Sequence, residues 1–253
     1  MQPHPKIRVI LFAMEKTRDI CSSTLKIVAI VCMTANHAGY IFAGVLPSWT
    51  FALCIVVGGA AFPTMAFLIT EGYRRTSNVK RYALRLLVFA LVSQAPFWFF
   101  LGHNLNVLFT LLLGLVILYA DEHVANRLAF AGIALACCAL SLLCDWPLVG
   151  PIAIFAFARL RDQRGGLVGA CWVIAACVAL PALTAYFTLP VPLYLYEACG
   201  AVFGGAVTTL LLPRYQGRRG LSLKYFFYVY YPAHIAALGF LHLALLGTMP
   251  ALI

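Results

Sequence analysis

Charge is what this chain has least of. Only 10% of its 253 residues are Asp, Glu, Lys or Arg, and 8 of them are acidic. A soluble domain carries roughly 25% charged residues, so a globule wetted on every side is excluded. Buried carboxylates are too scarce for an ion-coupled pump. Of Glu15, Asp19, Glu71, Asp121, Glu122, Asp145, Asp162 and Glu197, only Glu197 falls well inside an apolar run. The nine cysteines (Cys21, Cys32, Cys54, Cys137, Cys138, Cys144, Cys171, Cys177, Cys199) contain no CxxC pair and no Cys/His cluster at metal spacing. They read as small apolar packing residues, so neither zinc nor a disulfide framework is expected. GxSxG, P-loop, HExxH and GxGxxG signatures are missing from their usual settings.

What fills the chain instead is apolar: 63% of residues are hydrophobic, and mean hydropathy is +0.93. Roughly 20 consecutive apolar residues cross a bilayer as a helix. The sequence divides into nine such runs, at 25–46, 50–71, 83–101, 105–120, 127–144, 147–160, 167–189, 191–212 and 224–248. The fourth and sixth are short for a crossing. No alternating pattern suggests a barrel, and backbone hydrogen bonding without water then demands helices. The expectation is an all-α polytopic membrane bundle of about nine helices.

The 18 basic residues test that layout. Lys6, Arg8, Lys16, Arg18 and Lys26 precede or open the first run. Arg74, Arg75, Lys80, Arg81 and Arg85 lie between the second and third or open the third. Arg127 follows the fourth, Arg159, Arg161 and Arg164 close or follow the sixth, and Arg214, Arg218, Arg219 and Lys224 follow the eighth. Every basic residue thus falls at alternate ends. The positive-inside rule places the N-terminus in the cytoplasm and, with an odd number of spans, the C-terminus outside. The net charge of +10 therefore points to anionic membrane lipid or an anionic cosubstrate at the cytoplasmic face, not to nucleic acid. Residues 1–24 read as a basic cytoplasmic arm, with an interfacial helix as its candidate element. Val9 to Met14 is too short for the apolar core of a cleavable signal. Residues 25–253 read as a single transmembrane domain.

Ionisable and polar groups inside the runs are the functional candidates. Asn36-His37 sits midway along the first run. The imidazole is either a general base or a structural group bonded to a neighbouring helix. His234 lies in the last run, two residues after Pro232, whose missing N–H frees a backbone carbonyl. Tyr225, Tyr228, Tyr230 and Tyr231 crowd the same stretch, as in an aromatic belt at a membrane interface. Glu71 ends the second run ahead of Arg74 and Arg75, and Arg81 and Arg85 follow about a turn apart. This basic group is either a snorkelling loop or a grip for a phosphate-bearing cosubstrate. Gln94, Asn104 and Asn106 suit interhelical hydrogen bonds, and Asp145 suits a solvated loop or a helix cap.

Five blocks, in order, carry a resemblance: LKIVAIVCMTANHAGYIF, AAFPTMAFLITEGYRRT, RLLVFALVSQAPF, LNVLFTLLLGL and KYFFYVYYPAHIAALGF, with a weaker echo at DWPLVG. Together they resemble the TraX family of conjugative pilin acetylases, including the TrbP-type members of plasmid transfer systems. The resemblance implies a membrane-embedded acyltransferase of the bacterial inner membrane, with acetyl-CoA as acyl donor, no metal, and a pilin subunit as acceptor. It implies His37 and His234 as catalytic residues and Asn36, Glu71, Asn106, Gln94 and Tyr231 as supporting polar groups. Arg81 and Arg85 would meet the cosubstrate. The chain departs from the family pattern in two places. Asn36 stands where an acid is usual, and Gly59 stands where an arginine is usual. Such an acid and base would pair between the first two spans in relatives, and losing both leaves the charge balanced. A non-enzymatic pilin chaperone that keeps the groove of a degenerate site is the alternative. Acylation of a lipid or glycan is a third reading.

Overall fold

The computed structural model describes residues 20–221 and 224–250, with side chains at all of these but Lys224 and Tyr225. The arm expected over residues 1–24 lies outside the described residues as far as position 19. The described residues form ten α-helices: α1 Ser22–Ile41, α2 Ser48–Gly58, α3 Ala61–Arg75, α4 Val79–Phe100, α5 Val107–His123, α6 Arg127–Ser141, α7 Val149–Leu160, α8 Arg164–Thr188, α9 Pro192–Leu211 and α10 Lys224–Leu246. A short 3-10 turn, Leu212–Arg214, ends α9. No strand occurs among the described residues; isolated bridges join Ile20 to Tyr215 and Leu105 to Cys144.

Three helix starts show how local sequence sets the boundaries. Asn78, Asn106 and Asn126 each sit at an N-cap. Their side-chain oxygens accept from Arg81 N at 2.8 Å, Leu108 N at 3.0 Å and Leu128 N at 2.9 Å. An amide oxygen there satisfies one of the orphan donors of a first turn.

The second apolar run divides at Gly59-Ala60 into α2 and α3. Pro63 has no N–H to donate to the Gly59 carbonyl four residues back, so the helical ladder has a gap there. Gly59 also lies against α9: a Cβ on it would stand 2.0 Å from the Gly200 carbonyl oxygen, and one on Gly204 would stand 2.3 Å from the Gly59 oxygen. Only glycine permits that approach of two backbones, the small-residue contact usual between membrane helices.

Helix α3 is the axle of the fold. Its residues Thr64, Ala66 and Phe67 are fully buried, and it touches α1, α5, α7 and α9. The others close a ring about it in the order α1, α2, α9, α8, α7, α5, α4, α10 and back to α1, and α6 lies outside against α5 and α7. Apolar side chains also cover the outside: Leu128 is 84% exposed and Phe187 81%, which suits hydrocarbon rather than water.

Among the described residues, six segments are long and apolar enough to cross a membrane: Ser22–Ile41, Ser48–Arg75, Val79–Phe100, Arg164–Thr188, Pro192–Arg214 and Phe226–Leu246. Nine were expected. At 1.5 Å per residue, the 12-residue α7 is about 18 Å long, short of a hydrocarbon core of about 30 Å. Helices α5 and α6, with 17 and 15 residues, fall short by less.

The described basic residues gather at one end of the ring. Arg161 and Arg75 both meet Glu71, Arg127 and Arg159 meet Asp121, and Arg74 meets Asp162. Carbonyls of Arg218 and Arg219 accept the first amides of α1, from Ser22 at 2.8 Å and Ser23 at 3.2 Å. Gly220 makes that turn with φ +66°, and a Cβ there would strike Ser23.

Candidate functional site

The two intramembrane histidines meet. His37 Nδ1 lies 2.8 Å from His234 Nε2, and the rings are only 8% and 7% exposed. His234 Nδ1 lies 2.8 Å from the Tyr230 carbonyl oxygen. A carbonyl can only accept, so this nitrogen carries the proton. With both rings neutral, His234 Nε2 then offers a lone pair, His37 Nδ1–H donates to it, and the remaining nitrogen of His37, Nε2, is left bare. The polarity of the chain thus prepares one basic nitrogen, and the second ring orients the first. Tyr230 is itself fixed: its hydroxyl is 2.8 Å from Thr34 Oγ1, which donates onward to Ile30 O, and its ring stacks on His234 at 4.9 Å. Pro232 has no N–H to offer the Tyr228 carbonyl four residues back, so the carbonyl that holds His234 is not the one facing the proline.

His37 lines a cavity of about 1440 Å³ that runs the length of the bundle. Ordinary small-molecule pockets hold roughly 300–1,000 Å³, so there is room here for a large cosubstrate. Lys26, Arg75, Arg85 and Arg219 line its basic end; Asp145 and Glu197 line the opposite end. His37 and Asn36 lie between, and Tyr40, a turn further along α1, donates to Glu197 at 3.0 Å.

The expected site residues separate on inspection. Asn36 and Tyr231 line the cavity with His37, whereas His234 stands behind His37 and is not part of the wall. Arg85 lines the basic end and buries its Nε with no acceptor among the described residues. Arg81 is exposed and does not line the cavity. One turn on a helix at the rim is enough to carry its neighbour's charge outward. Gln94 and Asn106 are also off the cavity wall. Gln94 bonds Asn104 O at 2.9 Å and accepts from Asn106 at 2.9 Å, while Asn106 reaches Ala90 O at 2.8 Å. They pin the start of α5 to α4, a structural task. Glu71 is buried in an ion pair with Arg161 at 2.6 Å and Arg75 at 3.4 Å. It reaches the cavity only as part of the rim.

The arginine that the family pattern places at position 59 has no room in this packing, because a side chain there meets the α9 backbone. The residue across from Asn36 is Gly58, where a Cβ would come within 2.5 Å of the Asn36 side chain.

Asp145 is what the sequence reading missed. It neither caps α7, whose N-cap is Leu148 with no side-chain bond, nor stands in open solvent. Its N–H donates to Leu105 O at 2.7 Å and its carbonyl accepts from Thr110. Burial pushes its carboxyl up to about 6. The two residues around Pro147 adopt left-handed backbone, Trp146 at φ 61° and Leu148 at φ 56°. Each costs of order 1–3 kcal/mol and persists only where surroundings enforce it. Here Trp146 stacks on Phe62 at 4.2 Å, and Leu148 N is held by Ser141 Oγ at 2.9 Å. The sequence signal was a single DWP tripeptide. Glu197 was visible as an intramembrane acid, but its tyrosine partner was not.

No group of three His, Cys, Asp or Glu able to hold a metal occurs among the described residues. A family model described as "TraX protein" matches residues 21–242. The "Probable fimbrial assembly protein FimC, serogroup H1" of Dichelobacter nodosus is 29% identical over 245 residues, covering 89% of this chain and 97% of that one. No solved structure matches the chain.

Proposed function

The chain belongs to the TraX family, and on that premise we propose that it is a membrane-embedded acyltransferase that acetylates a pilin subunit from acetyl-CoA. The observation that carries the reading is the bare Nε2 of His37, held by His234 in a cavity that is basic at one end.

On this reading residues 25–253 form one transmembrane domain in a bacterial inner membrane, following a basic arm over 1–24. The basic end faces the cytoplasm. The chain crosses nine times, with α5 to α7 as short helices whose irregular connections are sheltered by protein. Lys26, Arg75, Arg85 and Arg219 hold the cosubstrate phosphates. The buried, unpaired Nε of Arg85 fits an anion there. Acetyl-CoA supplies an acetyl thioester.

His37 Nε2 takes the proton of the attacking amine as its nitrogen bonds to the thioester carbon. The carbon–sulfur bond breaks, and His37 passes the same proton to the departing thiolate. Amine and thioester thus become amide and thiol. Asn36, beside it on the wall, offers an amide N–H to the oxygen that gains charge. His234 is a positioning residue, since it reaches the chemistry only through His37.

The test is transfer of labelled acetyl from acetyl-CoA to pilin by the purified protein in lipid nanodiscs, read by intact mass. One added acetyl group is expected, and none with His37→Ala. Unchanged transfer by that variant removes His37 from the mechanism.

A second reading is a pilin assembly partner without catalysis. It draws on the name of the fimbrial relative and on the lack of a carboxylate bonded to either imidazole among the described residues. It predicts a stable complex with pilin of unaltered mass.

A further inference from the structure

Among the described acids, those at the basic end are accounted for. Glu71, Asp121 and Asp162 form ion pairs with arginines, and Glu122 accepts from Tyr73 at 2.6 Å. Asp145 and Glu197 differ. They line the far end of the cavity, and neither has an ion-pair partner among the described residues. The charge pattern supplies no lysine or arginine to that end of the bundle. Carboxylates in such a place are expected to be paired or to serve a ligand.

A second observation points the same way. Tyr231 is 3% exposed, lines the same cavity, and its hydroxyl has no hydrogen-bond partner among the described residues. Tyr40 lines the cavity as well and donates to Glu197 at 3.0 Å, so two acids and two tyrosines share its wall. They come from four elements: α1, the loop before α7, α9 and α10. The loop is held in left-handed backbone, which is costly to maintain without a use.

We infer that this end of the cavity is a subsite for a primary ammonium, bound between Asp145 and Glu197 with Tyr231 Oη as a third acceptor. An ammonium has three donors and one positive charge, which matches two carboxylates and an unpaired hydroxyl. The α-amino group of a peptide chain carries that charge at neutral pH, because its pKa is roughly 7.7–8.0. The inference rests on the acyl-transfer reading for the fate of the amine, which leaves its third proton on the Asp145 carboxylate and moves, neutral, to His37. It assigns the two substrates to opposite ends of one cavity. The anionic donor enters at the basic end, and the cationic acceptor at the acidic end.

The experiment uses the full chain in nanodiscs and two synthetic Ala-Gly peptides, one with a free amino terminus and one N-formylated. Two readouts are taken. Binding is followed by tryptophan fluorescence, since Trp146 adjoins Asp145; turnover is followed with acetyl-CoA. The free-amine peptide is expected to bind and its formylated twin not to. Asp145→Asn combined with Glu197→Gln should weaken binding and raise the acceptor KM by about tenfold or more, as loss of a desolvated charge pair does. The KM for acetyl-CoA should hold. Equal binding of the two peptides, or an acceptor affinity within twofold of wild type in the double variant, overturns the subsite. Selective binding of the free-amine peptide without turnover supports the subsite and refutes acyl transfer instead. The same fluorescence change with sodium or calcium ions, at the affinity of the peptide, would make the acids a metal-ion site and overturn the proposal.

Discussion

Replacing His234 by Ala tests the link between the two imidazoles. In the native arrangement His37 Nδ1–H has one acceptor, 2.8 Å away. The alanine variant strips that acceptor from a ring only 8% exposed. A buried donor left unsatisfied costs about 1–3 kcal/mol. The ring escapes part of this cost by moving its proton to Nε2, the nitrogen required as base, so the wrong tautomer gains population. At 1.36 kcal/mol per tenfold change in rate, kcat should fall about ten- to hundredfold. The KM for acetyl-CoA should stay near wild type, because the basic end of the cavity is untouched. His234→Gln, whose side-chain oxygen can accept from Nδ1–H, should recover part of the loss; a purely structural role would not respond that way. The assay pairs steady-state kinetics in nanodiscs with nitrogen NMR of labelled His37, which reads the tautomer whether or not turnover occurs. A wild-type Nε2–H tautomer, or an alanine variant with kcat within twofold of wild type, would refute the proposed polarity of the chain.

Three further outcomes follow from named contacts. Arg85→Gln should raise the acetyl-CoA KM about tenfold through loss of a charge-assisted contact, while Arg81→Gln, exposed and off the cavity, should leave it unchanged; steady-state titration separates them. Gly59→Ala should cost about 1–3 kcal/mol by overpacking α2 against α9, since its methyl would stand 2.0 Å from the Gly200 oxygen, and a detergent-solubilised melt with no drop would show that the two backbones are not so close. The carboxyl of Asp145, raised to about 6, disfavours its charged form in the folded protein. Its favourable share of stability is therefore complete below the unfolded value of about 4 and is lost as pH rises through about 6, a change of the order of 2 kcal/mol. Melts of the ligand-free protein across that window should show the loss in wild type and not in Asp145→Asn, and parallel curves would contradict the burial of the group.

How much of this was legible depended on which physical signal carried it. The helical class and the gathering of basic residues at one end followed from composition and spacing alone. The alternation of the 18 basic residues is a statement about chain order, and chain order in a bundle of short connections maps directly onto its two ends. His37 and His234 were visible as costly polar groups in apolar runs, and burial cost is a local property. The division at Gly59 was readable in principle, since Pro63 removes one ladder donor, yet hydropathy averages over it. Asp145 was not readable: its role depends on Leu105, Thr110 and Ser141 holding its loop, and Leu105 and Thr110 are distant in sequence.

The amino-acid order by itself therefore determined that the chain is built of apolar helices, which ends of them carry positive charge, and which buried side chains are expensive. Tertiary structure decided the rest. It brought His37 to His234 across 197 positions, turned Arg85 inward and Arg81 outward, and placed two carboxylates, with no ion-pair partner among the described residues, on the wall of the same cavity as His37. The division has a simple cause. Hydrophobicity and charge act residue by residue and sum along the chain, whereas hydrogen-bond polarity and pairing need two partners at a set distance, and only packing sets that distance.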